Sequence, residues 1–274
     1  MTEVHQVPRT EPVVRPVEWI VPLLFILVFG WVVWNGPAYL ITLPGDERTE
    51  AALLRRYGSP QVLDWIALVV APLIFAWGVA TVRRASMEWE DFSVGDRLSV
   101  FIGRIAMMLI AILVGVMFYE VILRYAFEAP TLWANEMSLW LAVFIFLLSG
   151  LYAMQQRSHI RIYLLYDVCP RWVQRTFDIV STLLIVAFAF FLFYGGYGEA
   201  AAKFARWETF GTAFDPPIPA TMKSMVLIVV TLVALQAIAN LIRDWNRDPG
   251  IHTAADDIDE DELRRLREQV GEGR

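Results

Sequence analysis

The stretch LSVFIGRIAMMLIAILVGVMFYEVIL, residues 98–123, decides the fold class, because it is too long and too apolar for the core of a soluble protein. A helix needs about 20 predominantly apolar residues to cross the hydrocarbon layer of a membrane. Five further stretches meet or nearly meet that requirement. The six stretches are 19–43, 62–82, 98–123, 132–154, 179–198 and 224–242. We therefore predict an all-α integral membrane protein, a helical bundle of about six transmembrane helices.

The composition of the whole chain agrees with this class. Of the 274 residues, 57% are hydrophobic and 19% are charged, whereas a soluble domain carries about 25% charged residues. The first stretch is longer than the apolar core of a signal peptide, and no Ala-x-Ala cleavage site follows it. We expect this stretch to remain as a helix that bends or ends near Asn35, Gly36 and Pro37, since proline interrupts helical hydrogen bonding.

In addition to Glu136 near the start of the fourth stretch, three charged side chains lie inside the apolar stretches. Asp64 is near one end of its stretch, and Arg104 and Glu120 are about one turn inside the ends of theirs. Side chains at such depths can reach the membrane interface by snorkelling, and this is what we expect of them. A role in lining a channel or relaying protons is the alternative.

The sequence also narrows the chemistry that the chain can perform. The single cysteine, Cys169, excludes an internal disulfide and a cysteine-cluster metal or iron–sulfur site. His5, His159 and His252 all lie outside the apolar stretches, so a membrane-embedded haem with two histidine ligands has no place in this chain. Nucleophile-elbow, zinc-protease, phosphate-loop and base-reading motifs are missing as well. We therefore predict a chain that is not an enzyme, with no cofactor, no metal site and no nucleic-acid partner.

Arginine and lysine are distributed unevenly between the two sets of loops. Six spans place both termini on one side, together with the second and fourth loops. Apart from the acidic tail, that side has twelve basic residues, which are Arg9, Arg15, Arg83, Arg84, Arg97, Arg104, Arg157, Arg161, Arg171, Arg175, Arg243 and Arg247. The other side has seven, which are Arg48, Arg55, Arg56, Arg124, Lys203, Arg206 and Lys223. Because basic loops stay in the cytoplasm, we predict that both termini are cytoplasmic.

The chain divides into three parts. Residues 1–90 hold two transmembrane helices joined by a polar loop, and residues 91–245 hold four more. Residues 246–274 form an acidic cytoplasmic tail, which we interpret as a solvated segment; binding of a basic partner is the alternative. We find no pair of broken helices in matching halves, the pattern that marks the substrate site of many secondary transporters. This absence counts against a complete transporter.

The stretch EVILRYAFEAPTLWANEMSLWLAVFIFLLSGLYAMQQRSHIRIYLL, residues 120–165, predicts a helical hairpin with a break at Pro130. Trp133, Glu136 and Trp140 recur at spacings of three and four residues, so they share one face of the second helix. This pattern indicates one of two roles. The three side chains belong either to an interfacial aromatic belt with ion pairs or to a surface that contacts another protein on the outer side of the membrane.

The first helix of the hairpin carries a candidate ion pair. Glu120 precedes Arg124 by four residues, which is the favourable order for such a pair on a helix. Arg124 could instead pair with Glu136 across the turn. His159 follows the end of the second helix, where we expect a capping or interfacial role.

The same stretch resembles the signature of the small membrane subunit of TRAP transporters, the tripartite ATP-independent periplasmic transporters. In that family an Arg-Tyr pair ends a helix and a short proline-containing turn follows. A Trp-x-x-Glu comes next, then a glycine late in the second helix and a His-Ile after it. The corresponding residues here are Arg124, Tyr125, Pro130, Trp133, Glu136, Gly150, His159 and Ile160. The resemblance covers residues 98–243 and leaves the first two helices as an unexplained extension.

The resemblance implies a non-catalytic subunit of a sodium-driven secondary transporter that imports an organic acid across the bacterial inner membrane. It implies two protein partners in addition to lipids: a large membrane subunit with the substrate and sodium sites, and a periplasmic substrate-binding protein. The residues that it suggests for partner contact or for bracing the hairpin are Glu120, Arg124, Tyr125, Trp133, Glu136, Trp140 and His159. A self-contained small channel or carrier, or a membrane anchor of an oxidoreductase, is the alternative.

A reporter enzyme that is active only in the periplasm tests the predicted orientation. When fused after Arg274, it should be silent, because the excess of arginine places this end in the cytoplasm. A matched fusion after Glu128, in a predicted outer loop, should be active. Activity after Arg274 would contradict the orientation.

Overall fold

The computed structural model describes residues 16–42, 47–85, 88, 92–157, 166 and 169–246, and these residues form helices and connecting turns with no strand. The helices are α1 (Val17–Trp34), α2 (Gly36–Leu40), α3 (Glu47–Tyr57), α4 (Val62–Thr81), α5 (Val94–Ala126), α6 (Ala134–Gln155), α7 (Arg171–Ala205) and α8 (Ile218–Asp244). Six of these, all except α2 and α3, are long and apolar enough to cross a membrane. The prediction of an all-α membrane protein with six spans is therefore confirmed.

The helix boundaries follow local sequence signals. The first span ends at Trp34, and a short helix restarts at Gly36 with Pro37 in its first turn, so the predicted break is present. The span α4 begins with a capping box between Gln61 and Asp64. The connection between α1 and α4 contains the additional helices α2 and α3. Helix α2 lies at the end of the predicted apolar stretch 19–43, and α3 lies in the segment that the sequence predicts only as a polar loop. The predicted division into extension, four-helix domain and tail stays a prediction, and residues 247–274 lie outside the described part of the chain.

The spans alternate in direction, so the bundle has two ends. The end that we call the linker end holds the start of α1, the connection from α4 to α5, the connection from α6 to α7 and the end of α8. The opposite end, the hairpin end, holds α2, α3, the turn between α5 and α6 and the loop between α7 and α8.

The helices pack as two hairpins and a further pair. Helices α5 and α6 form one antiparallel hairpin, α7 and α8 form another, and α6 packs on α8 to join the two. The helices α1 and α4 pack on each other and on α5. We call α1 to α4 the extension, and α5 to α8 the four-helix domain.

Phe101 of α5 is at the centre of the contact between the extension and the four-helix domain. Its side chain is buried, and its ring lies 6.3 Å from the ring of Phe25 and 5.4 Å from the ring of Phe75. A Cβ atom added at Gly78 would lie 2.2 Å from the Phe101 ring, so α4 approaches α5 this closely only because residue 78 is glycine. The extension is therefore tightly packed against α5 near the linker end.

Arg104 and Asp64, two of the charged side chains inside the apolar stretches, are buried against protein partners and are not exposed at the surface of the bundle. The Nη2 atom of Arg104 lies 2.9 Å from the Oε1 atom of Glu88, and both residues are buried. The hydroxyl of Tyr152 donates to the same Glu88 oxygen at 2.9 Å. Asp64 is also buried and accepts a hydrogen bond from the indole N–H of Trp31 at 3.0 Å. The snorkelling expected for Arg104, Asp64 and Glu120 is therefore not seen, because all three side chains are buried and protein groups supply their partners.

A second buried carboxylate ties α5 to α8 at the linker end. Asp96 is fully buried and accepts hydrogen bonds from the backbone N–H of Ser93 at 2.9 Å, from Gln236 at 3.2 Å and from Arg243 at 2.5 Å. Because each carboxylate oxygen has a donor, this charge is satisfied without water. The linker end is therefore fixed both by this group and by the Arg104–Glu88 pair.

Removing the carboxylate of Glu88 tests whether the connection from α4 to α5 is held in place by its contacts with the four-helix domain. Glu88→Gln should destabilise the protein by about 3 kcal/mol, because it leaves a buried guanidinium without its counter-charge. The measurement is thermal unfolding in mild detergent, with Glu128→Gln at the exposed turn as the matched control. Adding Arg104→Met should bring the melting temperature back towards the wild type. Equal melting of Glu88→Gln and the control would show that the pair does not stabilise the fold.

Candidate functional site at the hairpin end

Glu120 closes the hairpin between α5 and α6. It is 3% exposed and receives the side chain of Arg124, whose Nη2 and Nε atoms lie 2.6 and 3.2 Å from Oε1. Its other oxygen accepts hydrogen bonds from the backbone N–H of Thr131 at 3.0 Å and from the Thr131 hydroxyl at 2.5 Å. One carboxylate therefore joins the end of α5 to the segment that leads into α6.

Thr131 continues this connection into α6. Its hydroxyl oxygen accepts the backbone N–H of Ala134, the first residue of α6, at 3.3 Å. The turn itself is closed by a hydrogen bond from the N–H of Ala129 to the carbonyl of Leu123, and Glu128 adopts a φ of 53°. Sequence reasoning did not single out Thr131, although a threonine just before a helix start is a recognised capping signal.

Of the two pairings that the sequence left open for Arg124, the structure contains the one with Glu120. Glu136 has a different partner: its carboxylate accepts a hydrogen bond from the hydroxyl of Thr212 at 2.5 Å. Thr212 belongs to the loop at residues 206–217 between α7 and α8. Glu136 therefore links the two hairpins, and the alternative pairing of Arg124 with Glu136 is not present.

Four aromatic side chains continue this link across the hairpin end, and we call them the aromatic row. The Trp133 ring lies 6.2 Å from the ring of Tyr119 and 6.4 Å from the ring of Phe214. Phe214 in turn stacks on Trp34, at 5.5 Å and an interplanar angle of 30°. The aromatic row thus runs from α5, past the start of α6 and the loop at 206–217, to the end of α1.

Trp140 lies further along α6, one turn after Glu136 and two turns after Trp133. It is buried, and its indole N–H donates to the hydroxyl of Thr221 on α8 at 2.9 Å. The Thr221 hydroxyl donates to the carbonyl of Pro217 at 2.6 Å. Trp140 therefore ties α6 to α8 and is not exposed to a partner, although it shares a helix face with Trp133 and Glu136.

The turn also projects an exposed edge. Tyr125 is 79% exposed, and Phe127 and Leu132 are 68% and 75% exposed. The side chain of Arg124 is half exposed. This edge is available for contact with a lipid or protein partner. His159 lies outside the described residues, so its expected capping or interface role stays a prediction.

The loop at 206–217 is compact. Asp215 accepts the backbone N–H of Gly211 at 2.6 Å and the hydroxyl of Thr209 at 3.0 Å. The N–H of Phe210 donates to the carbonyl of Pro216 at 3.0 Å. In the described part of the chain, no group of three or more histidine, cysteine, aspartate or glutamate side chains is placed to hold a metal ion. The hairpin end therefore offers a surface of polar and aromatic contacts.

Six spans with their polar contacts gathered at the two ends define a multi-pass helical membrane protein. Residues 113–247 match the model of a known family, described as tripartite ATP-independent periplasmic transporters, DctQ component. The match covers just under half of the chain, and it assigns residues 113–247 to a family that is a component of transporters and not a class of enzyme. The resemblance to the TRAP small subunit is confirmed, and the matched region contains the whole α5–α6 turn.

One curated relative agrees with this assignment. The chain is 28% identical over 115 residues to the C4-dicarboxylate TRAP transporter small permease protein DctQ of Vibrio cholerae serotype O1, and the match covers 40% of this chain. It covers 48% of the relative, so the chain spans about half the length of that protein. No solved structure matches the chain. The family match and the six apolar helices support a multi-pass protein of the bacterial inner membrane.

Mutation of Glu120 and Arg124 tests the bracing of the hairpin. Glu120→Ala should lower the melting temperature in detergent more than Arg124→Ala, because it removes the acceptor of four hydrogen bonds, two of them from Thr131. The double variant should be less destabilised than the sum of the two, since the residues share one network. Glu128→Ala is the control at an exposed position of the same turn. Additive losses would show that the two side chains act independently.

Proposed function

We propose that this chain is the non-catalytic small membrane subunit of a sodium-driven, binding-protein-dependent TRAP transporter that imports an organic acid. It stands beside the large transport subunit as a rigid scaffold, surrounded by lipid on its remaining faces. The family match supports the assignment to such a transporter. The substrate class and the sodium coupling are carried over from the family resemblance, and the scaffold role rests on the polar groups of the spans.

The observation that carries the scaffold role is the use of these polar groups within the protein. Ser149 donates to the carbonyl of Phe146, and Thr231 donates to the carbonyl of Leu227. Both bonds stay within one helix. Gln236 donates to Asp96 and so belongs to the network at the linker end. Because these groups bond to the protein itself, the described spans offer no polar path that would carry an organic acid by itself.

The charges at the two ends support an orientation with cytoplasmic termini. Among residues with described side chains, the linker end has eight basic and five acidic residues, and the hairpin end has five basic and eight acidic residues. Because positive charge is retained on the cytoplasmic side, the linker end faces the cytoplasm and the hairpin end faces the periplasm.

The hairpin end then forms part of the docking surface for the soluble binding protein. Its candidates for contact are the exposed Arg124 and Tyr125 on the α5–α6 turn, and the loop at 206–217 that Glu136 holds beside them. Glu120 and Trp140 act indirectly, because both are buried and brace the helices beneath this surface.

Purification of the tagged chain from mild detergent tests the assignment. A second, larger hydrophobic subunit that comes with the chain would support the proposed function. A homo-oligomer alone would favour a small channel, and a soluble cofactor-containing enzyme would favour an oxidoreductase anchor.

The purified chain alone should move no organic acid into liposomes, even with a sodium gradient, because its described spans lack a polar path. Uptake of radiolabelled dicarboxylate is the measurement, and liposomes that contain the complete transporter are the positive control. Uptake by this chain without partners would rule out the scaffold role.

Tyr125→Ser should weaken docking without lowering the melting temperature, because Tyr125 is highly exposed. In the assembled transporter, the concentration of binding protein that gives half-maximal uptake should rise, and the maximal rate should stay close to that of the wild type. Leu139→Ser, an exposed α6 position within the span, is the control. An unchanged half-saturating concentration for Tyr125→Ser would remove the turn from the docking surface.

A further inference from the structure

A close contact between Gly36 and Trp207 joins the extension to the four-helix domain at the hairpin end. Trp207 follows the end of α7 and is 6% exposed. A Cβ atom added at Gly36 would lie 2.2 Å from the Cη2 atom of the Trp207 ring, so only glycine admits the ring at this position. Apolar side chains from both parts of the chain surround the ring, and these are Val33, Leu40, Ile41, Leu53 and Ala220.

The backbone of Trp207 shows why this contact matters. Its φ is 46°, in the left-handed region, and the N–H of the next residue, Glu208, donates to the carbonyl of Lys203 at 3.0 Å. This is the hydrogen-bond pattern of a helix end that usually has glycine at the left-handed position. A side chain there is unfavourable unless the surrounding structure holds it. The packing of the Trp207 ring against the extension supplies that support.

Trp207 leads directly into the loop at 206–217, and the extension contacts this loop a second time. Trp34, the last residue of α1, stacks on Phe214 of the loop at 5.5 Å. Trp34 and Gly36 flank Asn35, the residue at which α1 ends and α2 begins. The residues on either side of the break between α1 and α2 therefore contact the loop at 206–217 near both of its ends, at Trp207 and at Phe214.

The loop is stiffened internally but depends on other elements for its position. The hydrogen bonds of Asp215 to Gly211 and Thr209 lie within the loop. Its contacts with α6 are the Thr212–Glu136 hydrogen bond and the ring contact between Phe214 and Trp133. The Thr212–Glu136 bond is solvent-exposed, whereas Trp207 is buried. The contact of Trp207 with Gly36 is thus a buried external support of the loop, contributed by the extension.

We propose that the N-terminal extension is the positioning element of the binding-protein docking surface. By holding Trp207 and Phe214, it fixes the loop at 206–217 beside the α5–α6 turn in the arrangement that the partner meets. The proposal rests on the proposed function for the identity of that partner. It gives the two additional spans a role that does not require them to contact the substrate or the large subunit.

The test compares Gly36→Ala with Gly30→Ala in the assembled transporter. The control adds the same methyl group to the same extension, but nothing lies within 4 Å of a Cβ atom at Gly30. Amide hydrogen exchange of peptides that cover residues 208–217 reports the stability of the loop. Because local opening controls exchange, Gly36→Ala should accelerate it by roughly fivefold or more and Gly30→Ala should not.

A functional readout accompanies the exchange measurement. For Gly36→Ala, the concentration of binding protein for half-maximal uptake should rise, while the maximal rate and co-purification of the large subunit stay unchanged. Adding Trp207→Phe provides a smaller ring and should bring both readouts back towards the wild type, which a general loss of stability would not allow. If Gly36→Ala fails to assemble, Trp34→Leu removes only the stacking on Phe214 and takes its place.

Unchanged exchange in Gly36→Ala, or equal acceleration in Gly30→Ala, would overturn the proposal. Faster exchange with an unchanged half-saturating concentration would also overturn it, provided that Tyr125→Ser raises that concentration in the same assay. If Tyr125→Ser has no effect either, the error lies in the proposed docking face, while the extension still fixes the loop.

Discussion

A polar group in the hydrocarbon layer has no water to bond with, and the architecture of this chain depends on that constraint. The buried carboxylates are placed near the ends of spans and each has donors from the protein. Asp64 receives the Trp31 indole and Glu120 receives Arg124 and Thr131 at the hairpin end. Glu88 receives Arg104 and Tyr152 at the linker end. The middle of the bundle is left to apolar packing, so its two ends fix the relative positions of the helices.

Aromatic rings packed over glycines also bring the helices together near both ends. Phe101 packs over Gly78 and joins α5 to α4, and the Tyr152 ring packs over Gly103 and joins α6 to α5. The ring of Trp207 over Gly36 makes the equivalent contact at the hairpin end. Hydrophobic burial gives little reason for two apolar helices to associate within lipid, and close packing of this kind supplies the attraction instead. The contacts at Gly78 and Gly36 lie between the extension and the four-helix domain, so the extension is packed closely against the rest of the bundle.

The candidate site was partly predictable from the sequence. The pair of Glu120 and Arg124 follows from a spacing of four on one helix, and it is present. The shared face of Trp133, Glu136 and Trp140 is also local information. The partners of these side chains are not local information. Trp140 is buried against Thr221, while Glu136 accepts a hydrogen bond from Thr212, 76 residues away. Helical spacing places side chains on a face but cannot say which neighbour covers each part of it.

The sequence by itself determined the six spans, the break at Asn35, the family and the hairpin pair, because each depends on residues close together along the chain. The tertiary structure decided the partners of Arg104 and Glu136 and the packing of the Trp207 ring against Gly36. It also decided that α2 and α3 lie beside the loop at 206–217. These contacts join segments that are distant in sequence, and they form only once the helices pack in one particular order. Helix formation is a local property. Which helices pack together depends on the shape of whole helix surfaces and on whether their buried polar groups find hydrogen-bond partners.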